Sequence, residues 1–219
     1  MVLRSTSDAF RDRADAGRRL GARLFDLHLA PAPMVLGLPR GGVVVAAEVA
    51  AALRGDLDVL VARKLAHPAQ PELALGALAE GGSPVWDEAM LRRMGLRSDD
   101  LDGVVTAERQ ELARRVATYR PHRSAPDVHG RVVVLVDDGV ATGATARAAL
   151  RALGDRGAER LLLAVPVAAP ESLRTFTDAD QVVTLIAPSN FGAVGRWYDD
   201  FRQLSDEDVR RALAPVDAN

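Results

Sequence analysis

The chain has 219 residues, 48% of them hydrophobic and 26% charged, as expected of one large globular domain. Its net charge of −2 supplies no basic field for nucleic acid, and the absence of cysteine excludes disulfides and thiolate metal sites. No apolar run approaches the roughly 18 residues of a membrane span, and the charged N-terminal stretch has no signal-type apolar core, so a cytoplasmic protein without membrane contact is expected.

Ser7 is a candidate cap for a first helix with Phe10, Leu20, Leu24 and Leu27 on one face and its Arg and Asp residues on a solvated one; Pro31 and Pro33 end it. Met34 to Leu38 reads as a short buried strand. It stops at Pro39-Arg40-Gly41-Gly42, and an alanine-rich helix follows to about Leu53. A loop between a strand's end and a helix N-terminus points free N–H groups outward at the positive end of the helix dipole, which suits an anion. The GxxxxGK[ST] spacing is missing, so this is not a P-loop.

Leu57 to Ala62 is the next buried strand, ending at Arg63-Lys64. Two cations there lie at the usual ligand edge of an α/β sheet, or form an ordinary exposed pair on a loop. His67 to Gly82 carries Pro68, Pro71 and a Gly81-Gly82 end, with His67 read as an exposed loop residue. Within residues 83–130, Ser98 is a candidate cap for a long helix, Asp99 to Tyr119, with an apolar stripe of Leu101, Val104, Val105, Leu112 and Val116. That helix packs on the sheet or on a partner subunit. Arg120 to Val128 is a polar linker.

The most informative stretch is VVVLVDDGVATGATARAAL, Val132 to Leu150. Val132 to Val136 reads as a strand buried on both faces, as in a parallel sheet. Asp137 and Asp138 follow, then a small-residue loop, Gly139 to Thr145, with helical pattern from near Thr142. The loop is a second anion site, with hydroxyls from Thr142 and Thr145 and close backbone approach at Gly143. The aspartates would repel a phosphate beside them, but suit hydroxyls or a metal ion. A sugar carrying a 5′-phosphate satisfies both ends. The plainer alternative is a Rossmann-like loop whose aspartates begin a turn.

Leu161 to Val165 and Gln181 to Ala187 are the fourth and fifth strands, and strands alternating with helices imply a mainly parallel sheet. In the tail, Phe191, Trp197, Tyr198 and Phe201 crowd eleven residues. Such rings stack on flat heterocycles, or pack the last helix onto the domain. Ser205 to Asp208 is a capping box for a helix from near Asp206, with Leu204 and Val209 as a candidate staple.

VVLVDDGVATGAT resembles the phosphoribosyl pyrophosphate (PRPP) signature of type I phosphoribosyltransferases: an apolar strand, an acidic pair and a loop ending TG-x-T. The likeness covers roughly Met34 to Gly82 and Val132 to Ala187. It implies that family's fold: a five-stranded, mainly parallel twisted sheet with helices on both faces, in one domain over 1–219. Residues 83–130 would be a helical insertion and linker, His67 to Gly82 a mobile flap, and residues 188–219 a C-terminal hood and helix.

The same resemblance implies the chemistry and its residues. A nitrogenous base displaces pyrophosphate from C1 of PRPP, with Mg²⁺ as cofactor and a homo-oligomer, a dimer, as the assembly. Asp137 and Asp138 would hold the ribose hydroxyls and, through water, the metal. Ala141, Thr142, Gly143, Ala144 and Thr145 would hold the 5′-phosphate, and Arg40, Gly41 and Gly42 the pyrophosphate. Arg63 and Lys64 would take the leaving charge. Phe191, Trp197 and Tyr198 would face the base. Ala141 stands where 6-oxopurine enzymes carry an aspartate. Adenine-type members have alanine there, in ATGGT against ATGAT here, and place a catalytic glutamate in the flap, which makes Glu72 or Glu80 the candidate and a purine-like base the acceptor. The alternatives are a catalytically silent PRPP- or nucleotide-binding regulator of this fold and a Rossmann-like methyltransferase; the second aspartate and the TG-x-T ending count against the latter.

Overall fold

The computed structural model describes residues 9–121 and 124–214; Ser7 lies outside them. Helix α1 (Arg13–Phe25) is capped by Asp12, whose carboxylate accepts from the Asp15 amide at 2.7 Å. Then come β1 (Met34–Gly37), α2 (Gly41–Leu53) and β2 (Asp56–Val59). An antiparallel unit follows, β3 (Ala62–His67), β4 (Gln70–Ala79) and β5 (Val85–Trp86), with helices α3 (Glu88–Met94) and α4 (Asp102–Tyr119) after it. The chain closes with β6 (Val132–Val136), α5 (Ala144–Asp155), β7 (Arg160–Val167), α6 (Pro170–Leu173), β8 (Gln181–Ile186) and α7 (Asp206–Leu213).

The main sheet is the expected one: five parallel strands in the order β2-β1-β6-β7-β8. All five residues of β6, the central strand, are buried. Alternate residues serve opposite faces, as the strand's period of two requires. Val134 and Val136 pack with Val35, Leu20 and Leu24 of α1 and Val45 and Val49 of α2. Val133 and Leu135 pack with Leu36, Leu163 and Ala149, Leu150 and Leu153 of α5. Each such Val or Leu contributes about 1.5–3 kcal/mol by leaving water. The strand order reverses between β1 and β6, so the crevice outside their carboxyl ends is where an α/β sheet of this kind takes its ligand.

Several boundaries differ from the sequence expectation. The second strand ends at Val59 rather than Ala62, and Ala62 already belongs to β3. Val59, Leu60 and Val61 are all fully buried, so hydrophobicity carries no mark of where one sheet stops and the next starts. Arg63-Lys64 therefore lies inside β3, not at the end of β2. The segment expected as a Pro/Gly-rich flap is a β-hairpin, closed at His67–Gln70, where the Ala69 amide meets His67 Nδ1 at 3.1 Å.

The expected helix over Asp99–Tyr119 is present from Asp102, after a 3-10 turn at Ser98–Leu101, so Ser98 is inside that turn rather than capping the helix. Short α3, which the sequence reading passed over, is capped by Asp87. Leu112 and Tyr119 of α4 pack against Leu65 and Leu78 of the hairpin and Val209 of α7, and the Tyr119 hydroxyl donates to Asp206 Oδ1 at 2.7 Å. The capping box of α7 is as expected: Ser205 Oγ accepts from the Asp208 amide at 3.1 Å, and Asp208 Oδ2 from the Ser205 amide at 2.9 Å.

Candidate active site

Two strand-end loops meet at the crevice. After β1 the chain turns through Pro39 and Arg40 into α2, whose first N–H groups, at Gly41 and Gly42, have no intrahelical acceptor. After β6 come Asp137 and Asp138. The contact between the loops is so close that a Cβ on Gly41 would overlap the Asp138 carboxylate, and one on Gly42 would lie 2.7 Å from the Val136 carbonyl oxygen. Glycine at both positions is thus a packing requirement. Asp137, Asp138, Pro39, Arg40 and Gly41 line one cleft of about 390 Å³, completed by Arg13, Phe201, Gln203 and Leu204.

The acidic pair is half-buried and faces this cleft. Asp137 Oδ1 accepts from the Asp138 amide at 2.8 Å, and Asp138 Oδ2 accepts from Arg13 Nε at 2.7 Å. Burial, and then the charge of Asp138, hold the Asp137 carboxyl well above the usual carboxylate range. Burial also raises Asp138, opposed by the Arg13 guanidinium. Such a pair gains from a cation or from hydroxyl donors. Among the described residues no cluster of three His, Cys, Asp or Glu could cage a metal. Two neighbouring carboxylates nevertheless fit Mg²⁺, which takes one or two carboxylates and fills its shell with water and phosphate oxygens.

The loop beyond the pair is held from behind. The Val140 amide donates to Val167 O and the Ala169 amide to Val140 O, both at 2.9 Å, and Ser172 Oγ donates to Ala141 O. Gly143 has φ +73° and precedes α5, so the small-residue loop opens onto that helix's N-terminus. Ala141 and Thr142 are exposed, and Ala144 and Thr145 partly so. Thr142 and Ala144 line a second cleft of about 300 Å³ with Glu72, Trp86, Met90 and Arg147. Glu72 thus faces the small-residue loop after β6 rather than the acidic pair.

Other expected site residues are placed elsewhere. Arg63 Nε is bonded to Glu108 Oε2 of α4 at 2.7 Å, and Lys64 Nζ donates to Pro71 O at 2.9 Å; neither lines the cleft of the acidic pair. Glu80 is bonded to buried Arg120, which also donates to Val59 O at 3.1 Å, so this carboxylate anchors the root of the hairpin and is no free flap acid. Phe191 and Tyr198 are buried with Phe10, Ala16 and Val167. The Tyr198 hydroxyl donates to Asp138 O at 2.5 Å, and Trp197 Nε1 to Phe191 O at 3.0 Å. Phe191 and Tyr198, expected to face the base, have their rings packed in this cluster, and the aromatic ring lining the cleft of the acidic pair is Phe201.

Arg13 is the residue that sequence reasoning missed. Local pattern places it on a solvated helix face, because its partners are 125 and 189 positions away and leave no nearby signal.

A phosphoribosyl transferase domain model matches residues 9–202. Two Mycobacterium tuberculosis proteins, from strains CDC 1551 and H37Rv and each named "Putative phosphoribosyl transferase", are 47% identical over 201 residues. The match takes in 91% of this chain and 45% of theirs, so the chain spans under half the length of these curated relatives. A uracil phosphoribosyltransferase of Lactobacillus gasseri is 39% identical over 80 residues, 35% of this chain and 38% of that protein. The crystal structure of TT1426 from Thermus thermophilus is 47% identical with a TM-score of 0.80, covering 94% of this chain and 97% of that one. Among the described residues no helix is long and apolar enough to cross a membrane. With the family match running over nearly the whole chain, this protein belongs to the phosphoribosyl transferase domain family.

Proposed function

We propose that this protein is a phosphoribosyltransferase: it moves the 5-phosphoribosyl group of PRPP to a nitrogenous base and releases pyrophosphate. The observation that carries this reading is the cleft where the acidic pair meets the Arg40–Gly41 loop. In the reaction the bond from C1 to the pyrophosphate oxygen breaks, its electron pair leaves with pyrophosphate, and the acceptor nitrogen bonds to C1. Positive charge grows on the ribose ring and negative charge on the leaving group, so positioning and fixed charge supply most of the rate.

In this reading Asp137 and Asp138 accept from the ribose hydroxyls and stand near the developing ring charge. The Gly41 and Gly42 N–H groups and Arg40 receive the pyrophosphate. The Ala141–Thr145 amides and hydroxyls hold the 5′-phosphate, which fixes C1 above the acids. Mg²⁺, when bound at the acidic pair, would neutralise phosphate charge as a Lewis acid and template. One domain carries the whole site, with 83–130 as the helical insertion and 188–219 as the hood, and the assembly is a homo-oligomer in the cytoplasm.

The acceptor we propose is purine-like, from the ATGAT loop and Ala141. The local identity to a uracil enzyme makes uracil the competing acceptor. Release of pyrophosphate from PRPP–Mg²⁺, measured with adenine, hypoxanthine, guanine and uracil in parallel, tests both statements. Turnover with a purine supports the reading, turnover with uracil alone moves the acceptor, and PRPP binding without any turnover leaves the silent regulator. A specific observation favours that second reading: Arg63 and Lys64, expected to take the leaving charge, and Glu80, a candidate flap acid, are engaged by Glu108, Pro71 and Arg120.

A further inference from the structure

Arg13 of α1 sits where the two loops and the 198–204 segment converge. Its Nε donates to Asp138 Oδ2 at 2.7 Å and its Nη1 to the Arg202 carbonyl at 3.1 Å. The guanidinium carbon lies 3.9 Å from the centroid of Phe201. A Cβ on Gly41 would come within 2.7 Å of Nε, so the same group abuts the pyrophosphate loop. The side chain is 10% exposed; it lines the cleft shared with Arg40 and Asp137 and also borders a smaller one with Asp12, Asp200 and Arg202. Nη2 has no protein acceptor among the described residues.

Three separate contacts fix this guanidinium, so it is built into the wall and does not sample the cleft as a loose cation would. A fixed Arg fork next to a carboxylate does two things. It sets which Asp138 oxygen is left for a ligand, and it keeps a fixed cation in the cleft wall that Asp138 and Arg40 share. In a site that takes a diphosphate at one end and ribose hydroxyls at the other, that position is the junction of the two.

Resting on the phosphoribosyltransferase reading, we propose that Arg13 is a positioning residue of the PRPP site. It orients Asp138 toward the ribose hydroxyls, offers Nη2 to the diphosphate, and makes α1 and the 198–204 segment integral walls of the site. The sequence of the chain's first helix is therefore a determinant of substrate binding, as well as of packing.

The test is calorimetric binding of PRPP–Mg²⁺ to wild type, Arg13→Ala, Arg13→Lys, Asp138→Asn and the Arg13→Ala/Asp138→Asn double variant, each with its thermal unfolding midpoint. Arg13→Ala should bind PRPP about tenfold more weakly or worse, the scale of one charge-assisted hydrogen bond. Arg13→Lys should fall between, because an ammonium reaches Asp138 but neither lies flat on Phe201 nor holds Arg202 at the same time. The double variant should be no weaker than the worse single one, because both act through one contact. Unchanged PRPP affinity in folded Arg13→Ala, or additive losses in the double variant, overturns the inference and leaves Arg13 a packing residue. If Arg13→Ala does not fold, Arg13→Lys decides: wild-type affinity there overturns it. A wild type that fails to bind PRPP overturns the proposed function itself, a result distinct from any behaviour of the variants.

Discussion

The carboxyl edge of the main sheet and the hairpin beside it use their charges in opposite ways. At the ends of β1 and β6, Arg40, Asp137 and Asp138 stand around an open cleft, and of the three only Asp138 has an ion-pair partner among the described residues. Along the hairpin, Arg63 is paired to Glu108 and Glu80 to Arg120, both across to residues of the 83–130 segment. The first region keeps charge available for a ligand, while the second uses charge to bolt an antiparallel unit onto a helix. Exposure alone does not separate them, since the side chains of Asp138, at 16%, and Glu80, at 13%, are alike in that respect. What separates the two regions is that Arg40 and Asp137 have no ion-pair partner among the described residues, whereas Arg63 and Glu80 each have one.

The largest expected effect falls on the acidic pair. Asp137→Asn with Asp138→Asn should lower PRPP-dependent pyrophosphate release by roughly 10³-fold, the scale lost when preorganised charge is removed from a transition state. The single variants should differ in stability. Asp137 is raised by burial and by Asp138, so its native state holds protons that the unfolded chain has released. Stability from that group is present below the ordinary value of 3.8 and is lost as pH rises through the raised native value. Ligand-free Asp137→Asn should therefore unfold at a higher temperature than wild type at pH 7, and the gain should vanish near pH 3. Asp138 is raised as well, but Arg13 opposes the rise and Asp138→Asn leaves that guanidinium without its carboxylate, so its gain at pH 7 should be smaller than that of Asp137→Asn. Differential scanning calorimetry across pH 3–8 separates the two; equal effects would show that the acids are equivalent.

The next effect tests the other region. Arg120 is 3% exposed and bonded to Glu80 and to the Val59 carbonyl, with Asp58 Oδ1 at 3.9 Å. Its Nε and Glu80 Oε2 are buried without a hydrogen-bond partner, so the cluster has no slack to absorb a loss. Arg120→Ala strands Glu80 and should cost about 3–5 kcal/mol in chemical denaturation. A loss under 1 kcal/mol would mean that the hairpin root does not depend on this pair.

These contrasts also mark how far the residues alone could be read. The β6 strand, its acidic pair and the loop after it lie in one contiguous stretch, and local rules of burial, dipole and small residues suffice for it. The same rules gave the parallel sheet and the cap of α7. They failed where the deciding partner is remote: Arg13 with Asp138, Arg63 with Glu108, Glu80 with Arg120. They also failed at Val59 to Ala62, where two sheets share one apolar run. Tyr198 looked like a surface for a flat ligand because sequence shows that a ring is present and not which way it faces.

A smaller effect probes how tightly the two loops of the cleft are matched. Gly41→Ala places a methyl group against the Asp138 carboxylate and close to Arg13 Nε, both held by other contacts. The cost should be about 1–3 kcal/mol in stability, as for other overpacked sites. Binding of pyrophosphate should weaken roughly tenfold or more, because the loop's amides move with the backbone. Full pyrophosphate affinity in Gly41→Ala would place that anion elsewhere.

The smallest effect bears most directly on whether the hairpin's charges can ever serve the cleft. The Arg63–Glu108 pair is about a quarter exposed on each side, so solvent screens it and Glu108→Gln should cost no more than about 1 kcal/mol. What changes is Arg63, which loses its charged partner while the hairpin keeps its packing on Leu112 and Tyr119 of α4. If Arg63 competes between Glu108 and a bound anion, Glu108→Gln should tighten pyrophosphate binding about two- to threefold at low salt, and the gain should fade as ionic strength rises. If Glu108 instead holds Arg63 in the geometry the ligand needs, the same variant weakens binding at every salt concentration. A variant that leaves pyrophosphate affinity unchanged at all salt concentrations assigns Arg63 wholly to the hairpin–helix contact, and the cleft then relies on Arg40 and Arg13 for its positive charge.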